Sequence, residues 1–97
     1  LKMSVTPQAV ACFLKEWGYQ EGDEVRIYVR YSGGGGNDPF SLGVMKDSPR
    51  YPMLTVKENG MTFYMEENDV WYLDGEDLTV DCRKDEIVFD RSAGGGA

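Results

Sequence analysis

Val25-Arg26-Ile27-Tyr28-Val29-Arg30-Tyr31, Ser32-Gly33-Gly34-Gly35-Gly36-Asn37 and Phe40-Ser41-Leu42-Gly43-Val44 form the stretch that decides the fold. Val25, Ile27, Val29 and Tyr31 alternate with Arg26, Tyr28 and Arg30, the period of a strand with one buried face. Phe40, Leu42 and Val44 alternate in the same way with Ser41, Gly43 and Met45. Two such runs joined by a glycine-rich connection read as a long-looped antiparallel hairpin whose loop projects from the end of a sheet.

Upstream, Thr6-Pro7 reads as a helix start, because the hydroxyl accepts an orphan amide and proline suits the first helical position. Ala9, Val10, Phe13, Leu14 and Trp17 follow at helical steps, predicting one apolar stripe that covers a sheet and a helix end near Gly18. Cys12 falls off the centre of that stripe and is expected near solvent. Downstream, Asn59-Gly60 between two apolar segments predicts a type I′ turn, since both central residues need positive φ. Two-residue closure then pairs Glu58 with Met61, Val56 with Phe63 and Leu54 with Met65, leaving Thr55, Tyr64, Lys57 and Thr62 outward. Asn68 or Asp69 is expected to cap a helical turn over 70–73 that ends at Asp74-Gly75. Leu78 to Cys82 and Ile87 to Phe89 read as two further strands joined by Arg83-Lys84-Asp85-Glu86.

The 97 residues, 41% of them hydrophobic and 12% aromatic, suit one domain over 1–91, followed by a flexible glycine-rich tail over 92–97. The net charge is −7, and the excess lies after Tyr51, where eleven acids face four bases. A surface of that sign repels phosphate backbones and anionic lipid, so neither nucleic acid nor a membrane is an expected partner. No apolar run approaches the roughly 20 residues of a membrane-spanning helix, and the cytoplasm is the expected location.

The Thr-Pro-capped helix, the Val-Arg-Ile-Tyr-Val-Arg strand entering the glycine loop and Phe40-Ser41-Leu42-Gly43-Val44 resemble the HesB-like family, which includes the A-type iron-sulfur carriers. Tyr72-Leu73-Asp74-Gly75 followed by Val80-Asp81 extends the resemblance to nearly the whole of Thr6 to Phe89. Asn59-Gly60-Met61-Thr62-Phe63 and Trp71-Tyr72-Leu73-Asp74-Gly75 look like its small branch without the full cysteine set. The resemblance implies a mainly β sandwich or pseudobarrel of mixed sheets, six or seven strands and one packed N-terminal helix. It also implies a relation to iron-sulfur cluster biosynthesis. Cluster-carrying members have one cysteine in the glycine loop and a C-terminal Cys-Gly-Cys, a set of soft thiolates suited to iron. In this chain the loop position falls within Gly33 to Gly36, and the end reads Asp90-Arg91-Ser92-Ala93-Gly94-Gly95-Gly96-Ala97, so neither segment carries sulfur.

The remaining thiols, Cys12 and Cys82, are the only metal-ligand candidates. They stand 70 positions apart without a CxxC pair, and the chain has no histidine to activate them. Gly33, Gly34, Gly35, Gly36 and Asn37 form a candidate ligand loop, in which backbone N–H groups would hold an anion. The run lacks the Gly-Lys-Ser/Thr ending of a P-loop, and a hairpin connection is its ordinary reading. The acids Glu66, Glu67, Asp69, Asp74, Glu76, Asp77 and Asp81 do not match a calcium loop and read as a solvated face. No catalytic constellation emerges, so the expectation is a non-catalytic HesB-like protein without a cofactor. The alternative is a small-ligand or protein-binding module using the glycine loop and the adjacent strand surface. Twelve aromatic residues, with Tyr28 beside Arg26 and Arg30, favour a protein partner or self-association for any patch left uncovered.

Overall fold

A computed structural model describes residues 1–31, 33 and 38–93. Chain order is β1 (Met3–Val5), α1 (Pro7–Lys15), β2 (Glu24–Tyr31), β3 (Phe40–Lys46), β4 (Pro52–Glu58) and β5 (Met61–Glu66). A 3₁₀ turn over Val70–Leu73 leads into β6 (Asp77–Arg83) and β7 (Glu86–Ser92). The strands form two mixed sheets, β3-β2-β5-β4 and β1-β6-β7, with parallel pairing of β2 to β5 and of β1 to β6. This is the expected mainly β architecture with one helix.

The β2–β3 hairpin pairs Val25 with Lys46 through Tyr31 with Phe40. The tight hairpin has the register its turn chemistry demands, with Leu54 opposite Met65, Val56 opposite Phe63 and Glu58 opposite Met61. Asn59 and Gly60 both have positive φ, 52° and 79°. Met3, Val5, Ala9, Phe13, Val25, Ile27, Met61, Phe63, Met65, Leu73, Leu78 and Val80 form one buried cluster drawn from both sheets, α1 and the 3₁₀ turn. Among the described residues no helix is long and apolar enough to cross a membrane.

Several sequence expectations need correction. Tyr64 does not face outward to solvent: it is fully buried, because 47–51 folds over the outer face of its sheet and the phenol donates to the Asp47 carbonyl at 2.7 Å. Cys12 is likewise buried, at 5% exposure, whereas Leu14 and Trp17 are exposed. The helix is gripped by both β6 and β7, so its buried arc extends past the apolar stripe to Cys12, while Trp17 lies beyond the helix end and packs edge-on against Phe13 and Tyr19. Asp69 precedes the 3₁₀ turn, but its side chain does not cap it. Finally, β1 is too short to carry a periodic signal and exists only through its parallel pairing to β6. The last strand runs through Ser92, and 94–97 of the expected tail lie outside the described residues.

Candidate functional site

The glycine loop leaves the sheet at Tyr31 and re-enters at Phe40, its register partner. Of the candidate loop residues, Gly33 has φ +63°, and a β-carbon there would touch the Tyr31 ring at 3.4 Å. Gly34, Gly35, Gly36 and Asn37 lie outside the described residues. Asp38 organises the return: one carboxylate oxygen accepts the Phe40 amide at 3.0 Å, and the other accepts the Tyr72 phenol at 2.7 Å. The Tyr72 bond, followed by the Phe40 amide, holds the Asp38 carboxyl below its ordinary pKa, and the same bond raises the Tyr72 phenol.

This anchor sits in a run of aromatic rings. Tyr31 packs on Phe40 at 5.6 Å, Phe40 on Trp71 at 5.4 Å edge-on, and Trp71 on Tyr72 at 5.7 Å, while the Arg91 guanidinium lies 4.9 Å above the Tyr72 ring. Glu76 holds that guanidinium, taking bonds from Arg91 Nε and Nη2 at 3.0 and 2.8 Å. Two of its rings face water, Tyr31 at 71% and Trp71 at 56% exposure. Burial of Leu73 and the left-handed Asp74 (φ 50°) orient the 3₁₀ turn so that Trp71 is turned out. A rigid exposed group of Trp, Tyr and Arg has the composition of a binding hot spot, since large aromatic faces bury much area at little entropy cost.

The second predicted set behaves differently from expectation. Cys12, on α1, and Cys82, on β6, line one cleft of about 300 Å³ together with Lys15, Glu16, Lys84 and Asp85. The Cys12 thiol donates to the Asp85 carbonyl at 3.5 Å. Burial, followed by the neighbouring Cys82 thiol, pushes Cys12 up to about 11. The tertiary fold therefore unites the two sulfurs that sequence separation kept apart. They do not reproduce the donor set of a carrier, because the loop and the chain end contribute no thiolate. Among the described residues no group of three or more His, Cys, Asp or Glu side chains is placed to hold a metal ion.

Another cleft, about 370 Å³, runs between Trp17, Tyr28, Arg30, Gly43, Ile87 and Phe89. Tyr28 lies across Gly43 so closely that a β-carbon at position 43 would be 2.9 Å from its ring. Tyr28 is thus half-covered by its own hairpin rather than joined to the exposed run. The contribution of Tyr31, Phe40 and Trp71 was missed in the sequence, although the hairpin register itself pairs Tyr31 with Phe40. Placing Trp71 beside them requires the 3₁₀ turn to dock on β2.

No family model matches this chain. A curated protein of Bacillus subtilis (strain 168), named pyruvate dehydrogenase inhibitor, is 39% identical over 93 residues, spanning 93% of this chain and 98% of that protein. Among solved structures, Escherichia coli SufA, described as involved in biosynthesis of iron-sulfur clusters, superposes with a TM-score of 0.58. That match covers 95% of this chain and 85% of SufA at 16% identity, a likeness of fold. At that identity over nearly the whole of both proteins, the chain belongs to the same family as the Bacillus subtilis protein, and it has the HesB-like fold that SufA shares.

Proposed function

We propose that this chain is a non-catalytic binding module that restrains pyruvate dehydrogenase by docking, on a scaffold related to the iron-sulfur carriers but without their cluster ligands. The observation that carries this reading is the 39% identity to the Bacillus subtilis pyruvate dehydrogenase inhibitor across 98% of that protein. The exposed Tyr31–Phe40–Trp71 run supports it, because it offers a preorganised aromatic contact surface at the base of the glycine loop. The chemistry of the cysteine pair supports it too: two thiols, one deeply protonated at neutral pH, are a poor cradle for a cluster that needs several thiolates.

The direct test adds the purified chain to a purified bacterial pyruvate dehydrogenase complex and follows NADH formation. Inhibition saturating at a fixed ratio of chain to complex, with co-elution on gel filtration, is the expected result. Unchanged NADH formation and separate elution reject the reading. Anaerobic incubation of the chain with iron and sulfide is the companion measurement. A stable charge-transfer absorption that disappears on Cys12 or Cys82 substitution would return the chain to the carriers.

A further inference from the structure

The cysteine pair goes beyond a docking role and shares no residue with the aromatic run. Its framework is fixed at both elements. Thr6 caps α1 by accepting the Ala9 amide at 3.1 Å, and its hydroxyl donates to Asp81 Oδ1 at 2.7 Å. The same Asp81 oxygen accepts the Cys82 amide at 2.8 Å, and the Thr6 amide donates to the Val80 carbonyl at 3.0 Å. The start of the helix is therefore pinned to the strand one residue from Cys82, and Cys12 lies on the helix so anchored. Lys84 and Asp85, at the tight β6–β7 turn with φ of 54° and 63°, close the other side of the cleft, where the Asp85 carbonyl orients the Cys12 thiol.

Two thiols that line one cleft, on a helix and a strand anchored to each other, are neighbours placed for disulfide closure. Their unequal burial divides the roles. Cys82 is half-buried at the cleft and meets an oxidant first, whereas Cys12, 5% exposed, lies beside it on the wall of the same cleft.

We propose that Cys12 and Cys82 are a redox-sensitive dithiol that hydrogen peroxide closes to an intramolecular disulfide between α1 and β6. The Cys82 thiolate attacks one peroxide oxygen, so that a sulfur–oxygen bond forms, the oxygen–oxygen bond breaks and the departing hydroxide takes a proton to become water. Cys12 then loses its proton and its sulfur attacks Cys82 sulfur. The sulfur–sulfur bond forms, the sulfur–oxygen bond breaks and a second water leaves. Two sulfurs give up two electrons in total, and one peroxide is reduced to two waters. A small dithiol reverses the change by exchange.

The test treats the reduced 97-residue chain with equimolar hydrogen peroxide and reads intact mass, a peptide map and thermal midpoint. The expected product is monomeric, lighter by about 2 Da, with Cys12 and Cys82 peptides linked. Its thermal midpoint is raised by at least about 5 °C and restored by dithiothreitol, because closing so long a loop restricts the unfolded chain. In Cys12→Ser the expected product is a dimedone-reactive sulfenic acid at Cys82, and in Cys82→Ser the buried Cys12 stays unmodified at the same dose. A gain of about 16 or 32 Da without a linked pair, or an interchain disulfide as the main product of the unsubstituted chain, overturns the proposal. The mass is read on the isolated chain, so it stands or falls independently of any effect on pyruvate dehydrogenase.

Discussion

Arg26 and Asp69 tie the aromatic surface to the sheet: Arg26 Nη2 donates to Asp69 Oδ2 at 2.8 Å, and Asp69 Oδ1 accepts the Val29 amide at 3.2 Å. Asp69 immediately precedes the turn that carries Trp71, so one carboxylate fastens that turn to β2. Asp47 adds a longer contact to the same guanidinium, 3.6 Å. Replacing Asp69 by Ala leaves the partly buried guanidinium with the longer Asp47 contact in place of its 2.8 Å bond and strips the Val29 amide of its acceptor. Because Arg26 retains some solvent exposure, the expected loss is about 2 kcal/mol rather than the full value for a buried pair. Urea unfolding of Asp69→Ala measures it, and an unchanged midpoint contradicts the pinning.

Trp71 and Tyr31 are exposed, and their truncation removes contact area that the folded chain does not need. Trp71→Ala and Tyr31→Ala are expected to shift stability by less than about 1 kcal/mol. Against pyruvate dehydrogenase, Trp71→Ala is expected to weaken inhibition by roughly 30-fold, the size of a 2 kcal/mol hot spot. Inhibition curves run beside thermal melts check both halves, and full inhibition by the double variant rules this surface out.

Thr6 serves the helix and the strand at once, through the Ala9 amide and Asp81. Thr6→Ala is expected to cost about 1 to 2 kcal/mol, at the upper end for a cap because it also strips Asp81 of a partner. A double-mutant cycle of Thr6→Ala with Asp81→Ala, read by urea unfolding, is expected to show coupling of at least about 0.5 kcal/mol. Additive losses would mean that the 2.7 Å bond contributes nothing measurable.

The buried acids predict alkaline instability. Cys12 is raised from 9.0 to about 11 by burial, and Tyr64 from 10.0 to about 12, also chiefly by burial. In each case the folded state holds its proton to higher pH than the unfolded chain does. The resulting stabilisation is complete below pH 9 and is lost as pH rises through 11 for Cys12, then between 10 and 12 for Tyr64. Urea midpoints of the reduced chain should fall across that range, and Cys12→Ala should flatten the first part of the decline. A flat profile for the unsubstituted chain would contradict burial of both groups.

The strands whose side chains obey a simple period were legible in the sequence. The Asn59-Gly60 turn even set which residues oppose each other, because positive φ at both positions permits one tight closure. Tyr64 was misread for a definite reason: alternation assigns a face, but a loop that crosses that face is invisible to periodicity. Cys12 was misread because a helix held between two strands buries more of its circumference than its apolar stripe.

By itself, then, the sequence determined the hairpins, the helix cap, the family likeness and the absence of sulfur from the glycine loop and the chain end, since all are local patterns or plain residue identities. Tertiary structure alone decided that Trp71 joins Tyr31 and Phe40, and that Cys12 meets Cys82 across 70 positions of chain. Such meetings depend on how the 3₁₀ turn and α1 dock against β2 and β6. Docking is set by the summed packing and hydrogen bonding of distant segments, which no local period encodes.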